Sequence, residues 1–372
     1  AFLGIEMKCA RCHDAPFHPF KQQELFGLAA MLTGKELTLP ESSIASLPNG
    51  GRESVVKVSL AAGTTITPHW PFPELAAADL PASLEEGTRG TREELAARLT
   101  SPANHRFAEV IVNRLWQHHF GRGLVGTASN FGSMGESPTH PRLLDWLAVE
   151  FRNRGWSAKE MHRLIMTSDA YQMASEYENP DNLANDLENR LFWRFRPQRL
   201  EAEALRDVIM ATSGGIDLTI GGLPIFPYVP EEILATAQAY GRWDNQPDGP
   251  HAWRRSVYVY RRRTLSYPFF DTFDLPDQNQ TAAARNVSTV PTQALTLMNN
   301  EFVLNQAQMF ADRVKASAPN SIDDQIALAY RIALSRQPTA DEAEVARALV
   351  AEQSLTDLTH VMLNLNEFLY LR

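Results

Sequence analysis

The sequence predicts a mainly α-helical fold with one minor β-strand or hairpin element. Three observations carry this expectation. Apolar residues recur at helical spacing in successive segments beyond residue 91, these segments carry helix-type starts and stops, and one later run, 255–261, is rich in β-branched and aromatic residues. A short helical segment with a C-x-x-C-H motif and an irregular linker with short strands precede this part.

The elements follow in order. Residues 1–8 read as the middle of an element, entered without an initiator Met or signal peptide, so the chain is expected to be a piece of something longer. Residues 18–32 place Leu25, Phe26, Leu28, Ala29 and Leu32 on one helical stripe, with Met31 as a core residue. Residues 34–90 are rich in Gly, Pro, Ser and Thr, with an alternating strand at 53–60 and irregular connections at 68–73 and 87–90. The expected domains are therefore 1–33, 34–90 and 91–372.

Within the third domain, Ser101 as N-cap and Pro102 at the first helical position open a helix that runs through Phe120 and is closed by Gly121 and Gly123. Gly155 ends a helix carrying Leu143, Leu144, Trp146, Leu147 and Phe151. Capping boxes stand at Ser157 with Glu160 and at Thr339 with Glu342. Pro230 starts a helix from Glu231 to Tyr240, and the run from Arg255 to Arg261 reads as a strand. There is no internal repeat, and no run of eighteen apolar residues suited to a membrane span.

Composition narrows the function classes. Among 372 residues, 44% are hydrophobic and 21% charged, and 23 Pro with 20 Gly exclude collagen-like and low-complexity chains. A net charge of −9 argues against a general nucleic-acid binder, which needs a clustered positive excess.

The two cysteines are the most informative residues. Cys9 and Cys12 stand three apart with His13 directly after, a coincidence of order one in ten thousand by chance. C-x-x-C-H is the attachment site of haem c: Cys9 and Cys12 would form the thioethers and His13 the proximal iron ligand. Two rival readings stay open. A structural zinc site would recruit His13 and His18, and a redox dithiol or inert disulfide would leave the cysteines to each other, although no βαβ pattern surrounds them. Met31, His18 and Met7 are the nearby candidates for a distal iron ligand.

Polar residues in apolar company mark further candidates. Phe107, Val110, Ile111, Leu115 and Trp116 form a stripe, with Arg114 and His118 on the same face and His119 beside it. The structural reading is an Arg–carboxylate pair and a hydrogen-bonded core His; the functional one is a polar site. The glycines at 121–126 fit no phosphate-binding pattern and read as a helix stop. Glu136 and His140 share a second loop, explicable by turn chemistry or as part of a site. Arg199, Glu203, Arg206 and Asp207 read as a salt-bridge ladder on a solvated face. Arg outnumbers Lys 29 to 6, and Arg254, Arg255, Arg261, Arg262 and Arg263 flank the expected strand. Such a run suits carboxylate, sulfate or haem-propionate contacts, or reflects compositional bias.

These strings bring a resemblance into view. FLG at 2–4, CARCH at 9–13, Asp14, PF at 16–17 and GLAA at 27–30 resemble the C-terminal end of the planctomycete cytochrome-like domain. NRLWQHHFGRGLV at 113–125, MGE at 134–136, THP at 139–141, RLEAEALRD at 199–207, RNV at 285–287, PTQAL at 291–295 and NLNEF at 364–368 resemble its partner, the planctomycete cytochrome-associated domain of unknown function. The resemblance implies an exported protein, periplasmic or associated with the cell envelope, that carries haem c on Cys9, Cys12 and His13. Members commonly have a His after the Asp, where this chain has Ala15, which leaves His18 as a substitute ligand.

The leading expectation is thus an exported haem-c redox protein, acting in electron transfer or as an oxidoreductase, with a helical domain for a redox partner, another envelope protein or a substrate. A second is a non-catalytic binding or scaffold module for anionic glycans through residues 254–263. A third is a metal-assisted enzyme using His118, His119, His140 and Glu136.

Overall fold

The computed structural model describes residues 2–15, 20–39, 59–75, 90–132, 134–236 and 243–371. The fold is mainly α, with fifteen α-helices and two small two-stranded sheets among these residues. The chain divides into two compact units, 1–196 and 197–372, a boundary that falls inside the span the sequence reads as one helical domain.

The first unit contains α1 (Gln22–Thr33), α2 (Arg92–Thr100), α3 (His105–Phe120), α4 (Pro141–Asn153), α5 (Ala158–Met166) and α6 (Pro180–Asn185). Its main core lies where α3 packs on α4 and α5, with Val112, Trp116, Phe120, Leu147, Phe151, Met161 and Ile165 buried. Each such side chain contributes about 1.5–3 kcal/mol by leaving water. α3 starts one turn later than its sequence suggests. Asn104, not Ser101, is the N-cap, its side chain accepting from the Phe107 N–H, because Ser101 instead closes α2. Gly121 ends α3 in the left-handed region at φ 75°, as the sequence requires.

A smaller core of Leu3, Met7, Phe72 and Leu75 holds the N-terminal segment. Beside it, β1 (Leu37–Thr38) pairs antiparallel with β2 (Thr65–Ile66), so the linker does contain a short sheet. The expected strand at 53–60 lies outside the described residues except for its last two, and the irregular stretch at 87–90 except for its last one. Gly27 lets the His69 ring lie against α1, since a Cβ there would fall 2.1 Å from the ring.

The second unit contains α7 (Ala202–Ser213), α8 (Glu231–Thr236), α9 (Pro268–Thr272), α10 (Pro291–Asn299), α11 (Glu301–Ser317), α12 (Ile322–Leu334), α13 (Ala340–Glu352), α14 (Leu355–Asn364) and α15 (Asn366–Leu369). α11 is central: it packs on α7, α12 and α14, and Val303, Ala307, Phe310 and Val314 are fully buried. β3 (Gln198–Arg199) pairs antiparallel with β4 (Tyr370–Leu371), which ties the start of this unit to its end. Thr339 and Glu342 make the expected capping box.

The strand expected at 255–261 is not one. Ser256–Tyr258 form a 3-10 turn, and only single bridges join Arg254 to Asp217 and Val259 to Ile225. Its backbone groups are satisfied locally: the Ser256 N–H donates to Asp207, the Tyr258 and Val259 N–H groups donate within the turn, and Ile225 alone pairs with the Tyr258 carbonyl and the Tyr260 N–H.

Candidate functional site

The C-x-x-C-H segment is built on a single 3-10 turn, Lys8–Arg11. With three residues per turn, positions i and i+3 eclipse, so Cys9 and Cys12 share one side. The opposite side is anchored by Ala10, which is fully buried, and by Met7 in the small core. Both cysteines are free thiols and exposed. The Cys12 and His13 N–H groups both donate to the Cys9 carbonyl, at 3.3 and 3.4 Å, which fixes the three residues relative to one another.

His13 is oriented by its neighbour. Its Nδ1 lies 2.7 Å from the Asp14 carbonyl. A carbonyl can only accept, so this contact assigns the hydrogen to Nδ1 and leaves the lone pair on Nε2, the form a metal-ligating imidazole needs. Asp14 is itself held, its Oδ1 accepting from the Gln22 N–H at 3.0 Å and from the Ser59 hydroxyl. Gln22 is fully buried and accepts from Ser59 and Leu60 N–H groups. The arrangement fits haem c: two exposed thiols three residues apart about one 3-10 turn, then an imidazole with Nε2 available.

Of the distal-ligand candidates, Met31 is fully buried in α1 and Met7 packs in the core, as apolar residues would. His18 lies outside the described residues. Among the described residues no three His, Cys, Asp or Glu side chains form a group that could hold a metal ion, so nothing there closes a zinc site around Cys9, Cys12 and His13.

The second set of candidates is dispersed. Arg114 donates to the Ser129 hydroxyl at 3.2 Å rather than to a carboxylate, because the loop after α3 brings a serine there. His118 is exposed, on the solvent side of α3 rather than on the apolar stripe. Glu136 pairs with Arg122 at 2.5 Å and Arg190 at 3.3 Å. His140 Nδ1 meets the Thr139 hydroxyl at 3.0 Å, with its ring against Phe192. The metal-assisted reading of His118, His119, His140 and Glu136 therefore finds no converged ligand set.

His119 does form a cluster, with a residue the sequence reading missed. Its Nε2 lies 2.8 Å from His162 Nδ1, and its ring meets Tyr171 edge-on. Burial, then the charges of His162 and His118, lower its pKa. A lowered histidine pKa means that the unfolded chain binds the proton more readily, so stability is full above about pH 6.5 and falls as pH drops below it. The urea midpoint of the wild type is expected to fall between pH 7 and pH 5, and His119→Gln to flatten that slope; an unchanged slope would count against the assignment.

In the second unit, the supposed ladder on α7 proves to be a set of long-range clamps. Arg199 donates to Asp274 at 2.6 Å and to the Ser288 carbonyl. Glu203 accepts from Arg285 at 2.7 Å and also from Arg261. These partners hold the Glu203 carboxyl below its usual range against the opposing effect of burial. Asp207 receives the Ser256 N–H at 2.6 Å and Arg255. Arg206 is buried and donates to the carbonyls of Ala252 and Arg254. Three members of the basic run are thereby engaged. Arg254 stacks on Tyr258 at 3.8 Å and donates to the Leu223 and Thr219 carbonyls, so Arg254, Arg255 and Arg261 do not form an open anion-binding patch.

Similarity places the chain. The family PSD1, a protein of unknown function (DUF1553), matches residues 91–350, and PSCyt2, a protein of unknown function (DUF1549), matches residues 1–36. No curated protein and no solved structure matches. The chain belongs to the PSD1 family, one of the planctomycete cytochrome-associated domains, and its residues 1–36 are similar to PSCyt2.

Proposed function

We propose that this PSD1-family chain is part of an exported redox protein of the cell envelope, with haem c attached through Cys9 and Cys12 and His13 as the proximal ligand. The observation that carries the reading is the local geometry: two free, exposed thiols three residues apart about one 3-10 turn, and an imidazole whose Nδ1–H is committed to the Asp14 carbonyl. Bound haem would supply a one-electron couple. The chain's own residues hold and orient it: Cys9 and Cys12 fix its edge, and Asp14, through its carbonyl, keeps His13 in the ligating tautomer. Gln22 and Ser59 brace Asp14 from behind. The helical remainder serves to dock a redox partner or another envelope protein.

The test is maturation of the full-length exported protein in a host that assembles c-type cytochromes. A haem-dependent peroxidase stain surviving a denaturing gel is expected, and Cys9→Ser with Cys12→Ser should abolish it completely. His13→Ala should retain the stain while changing the visible spectrum of the reduced protein. A wild-type protein without covalent haem would overturn the proposal.

A further inference from the structure

The second unit carries an open cavity of about 1010 Å³. Its lining is half polar and half apolar: Tyr228, Trp243 and Phe302 face it, together with the carboxylates Glu231, Asp244 and Glu301. Among the described residues these three carboxylates have no hydrogen-bond or ion-pair partner, in a unit whose Glu203, Asp207 and Asp274 are all engaged. Glu231 and Glu301 stand in the first turns of α8 and α11, where the helix dipole favours a negative charge, but that does not explain why both border one cavity with Asp244. The wall also includes Arg206, 1% exposed, whose Nε–H has no acceptor.

The charge and hydrogen-bond inventory selects the ligand. Four lining carboxylates, counting Asp248, oppose two guanidinium groups, which disfavours an anion. A small cation would satisfy the carboxylates but offer no acceptor to the donors of Arg206 and of the Asn300 amide in the same wall. Hydroxyl groups both donate and accept, and the C–H faces of a sugar ring pack on aromatic rings. The volume stands at the upper end of small-ligand pockets, roughly 300–1,000 Å³, enough for more than one sugar ring. We propose that this cavity binds a neutral oligosaccharide, with Asp244 and Glu301 accepting hydrogen bonds from its hydroxyls and Trp243 and Tyr228 packing against its rings.

The experiment is titration calorimetry of the full chain with maltotriose, cellotriose, mannotriose and xylotriose, and it reads the same whether or not haem is attached. At least one trisaccharide should bind, and Asp244→Ala and Glu301→Gln should each weaken it about tenfold, the loss expected for one hydrogen bond to a charged group. Both positions are exposed, so Asp244→Ala should leave the melting temperature unmoved and Glu301→Gln should lower it only slightly, by the lost helix-dipole contact. Spermidine and a sulfated disaccharide, as cationic and anionic probes, should bind at least tenfold more weakly than the best trisaccharide. The proposal is overturned if no trisaccharide binds at concentrations up to about 10 mM, if binding ignores both substitutions, or if either charged probe binds more tightly.

Discussion

Arg206→Met is expected to destabilise the C-terminal unit by about 2–4 kcal/mol, read as a lowered urea midpoint for that unit's transition. The wild-type guanidinium is buried and donates to the Ala252 carbonyl at 2.5 Å, the Arg254 carbonyl at 3.0 Å and the Ser256 hydroxyl at 3.2 Å. Removing it strands two carbonyls, each worth about 1–3 kcal/mol when left unpaired and buried. Part of that loss is offset, because burial lowers the Arg206 pKa and the neutral Met escapes the same desolvation. Arg206→Lys should not rescue, since an ammonium lacks the planar fork that reaches three acceptors. A loss below about 1 kcal/mol would show that the loop at 252–256 is held by other contacts.

Asn113→Leu should cost the N-terminal unit about 2–5 kcal/mol, by the same desolvation of unpaired groups. Asn113 is fully buried, and its side chain pairs with both backbone groups of Val125: Oδ1 accepts the Val125 N–H at 2.8 Å, and Nδ2 donates to the Val125 carbonyl at 3.0 Å. One side chain thus does for the loop after α3 what a neighbouring strand would do. Gly123 makes the approach possible, because a Cβ there would lie 2.6 Å from Asn113 Nδ2. Leucine keeps the branched shape with larger ends, so no cavity is left and the loss reports the unpaired Val125 groups together with some crowding. The Val125 amide should exchange with solvent far faster in the variant; retained protection would contradict the clamp.

Both residues belong to strings that carry the family resemblance, at 113–125 and 199–207, and in this chain both serve architecture. The same holds for Arg285 in the string at 285–287, which pairs with Glu203, and for Glu367 in the last string, which pairs with Arg336. Gln293, from the string at 291–295, donates to the Thr272 carbonyl. The polar residues quoted from those strings meet one another or distant loops. Their legibility as family signature therefore did not make them legible as a site.

What could be read directly from the residues was local. Helix periodicity, the Gly121 stop, the Thr339 capping box and the C-x-x-C-H turn are each decided within a few residues by backbone sterics and nearby donors and acceptors, so the mainly α fold and the adjacency of Cys9, Cys12 and His13 follow from the chain itself. His162, 43 residues from His119, gave no such signal, being one position of an amphipathic helix. Glu203 and Arg285, 82 residues apart, and Arg206 with its loop 46 to 50 residues away, became partners only on folding. The run at 255–261 has the composition of a strand, yet a strand needs a neighbour along its length. The fold gives it a single residue of backbone instead: Ile225 pairs with Tyr258 and Tyr260, the Asp207 side chain takes the Ser256 N–H, and the Tyr258 and Val259 N–H groups bond within the run's own turn.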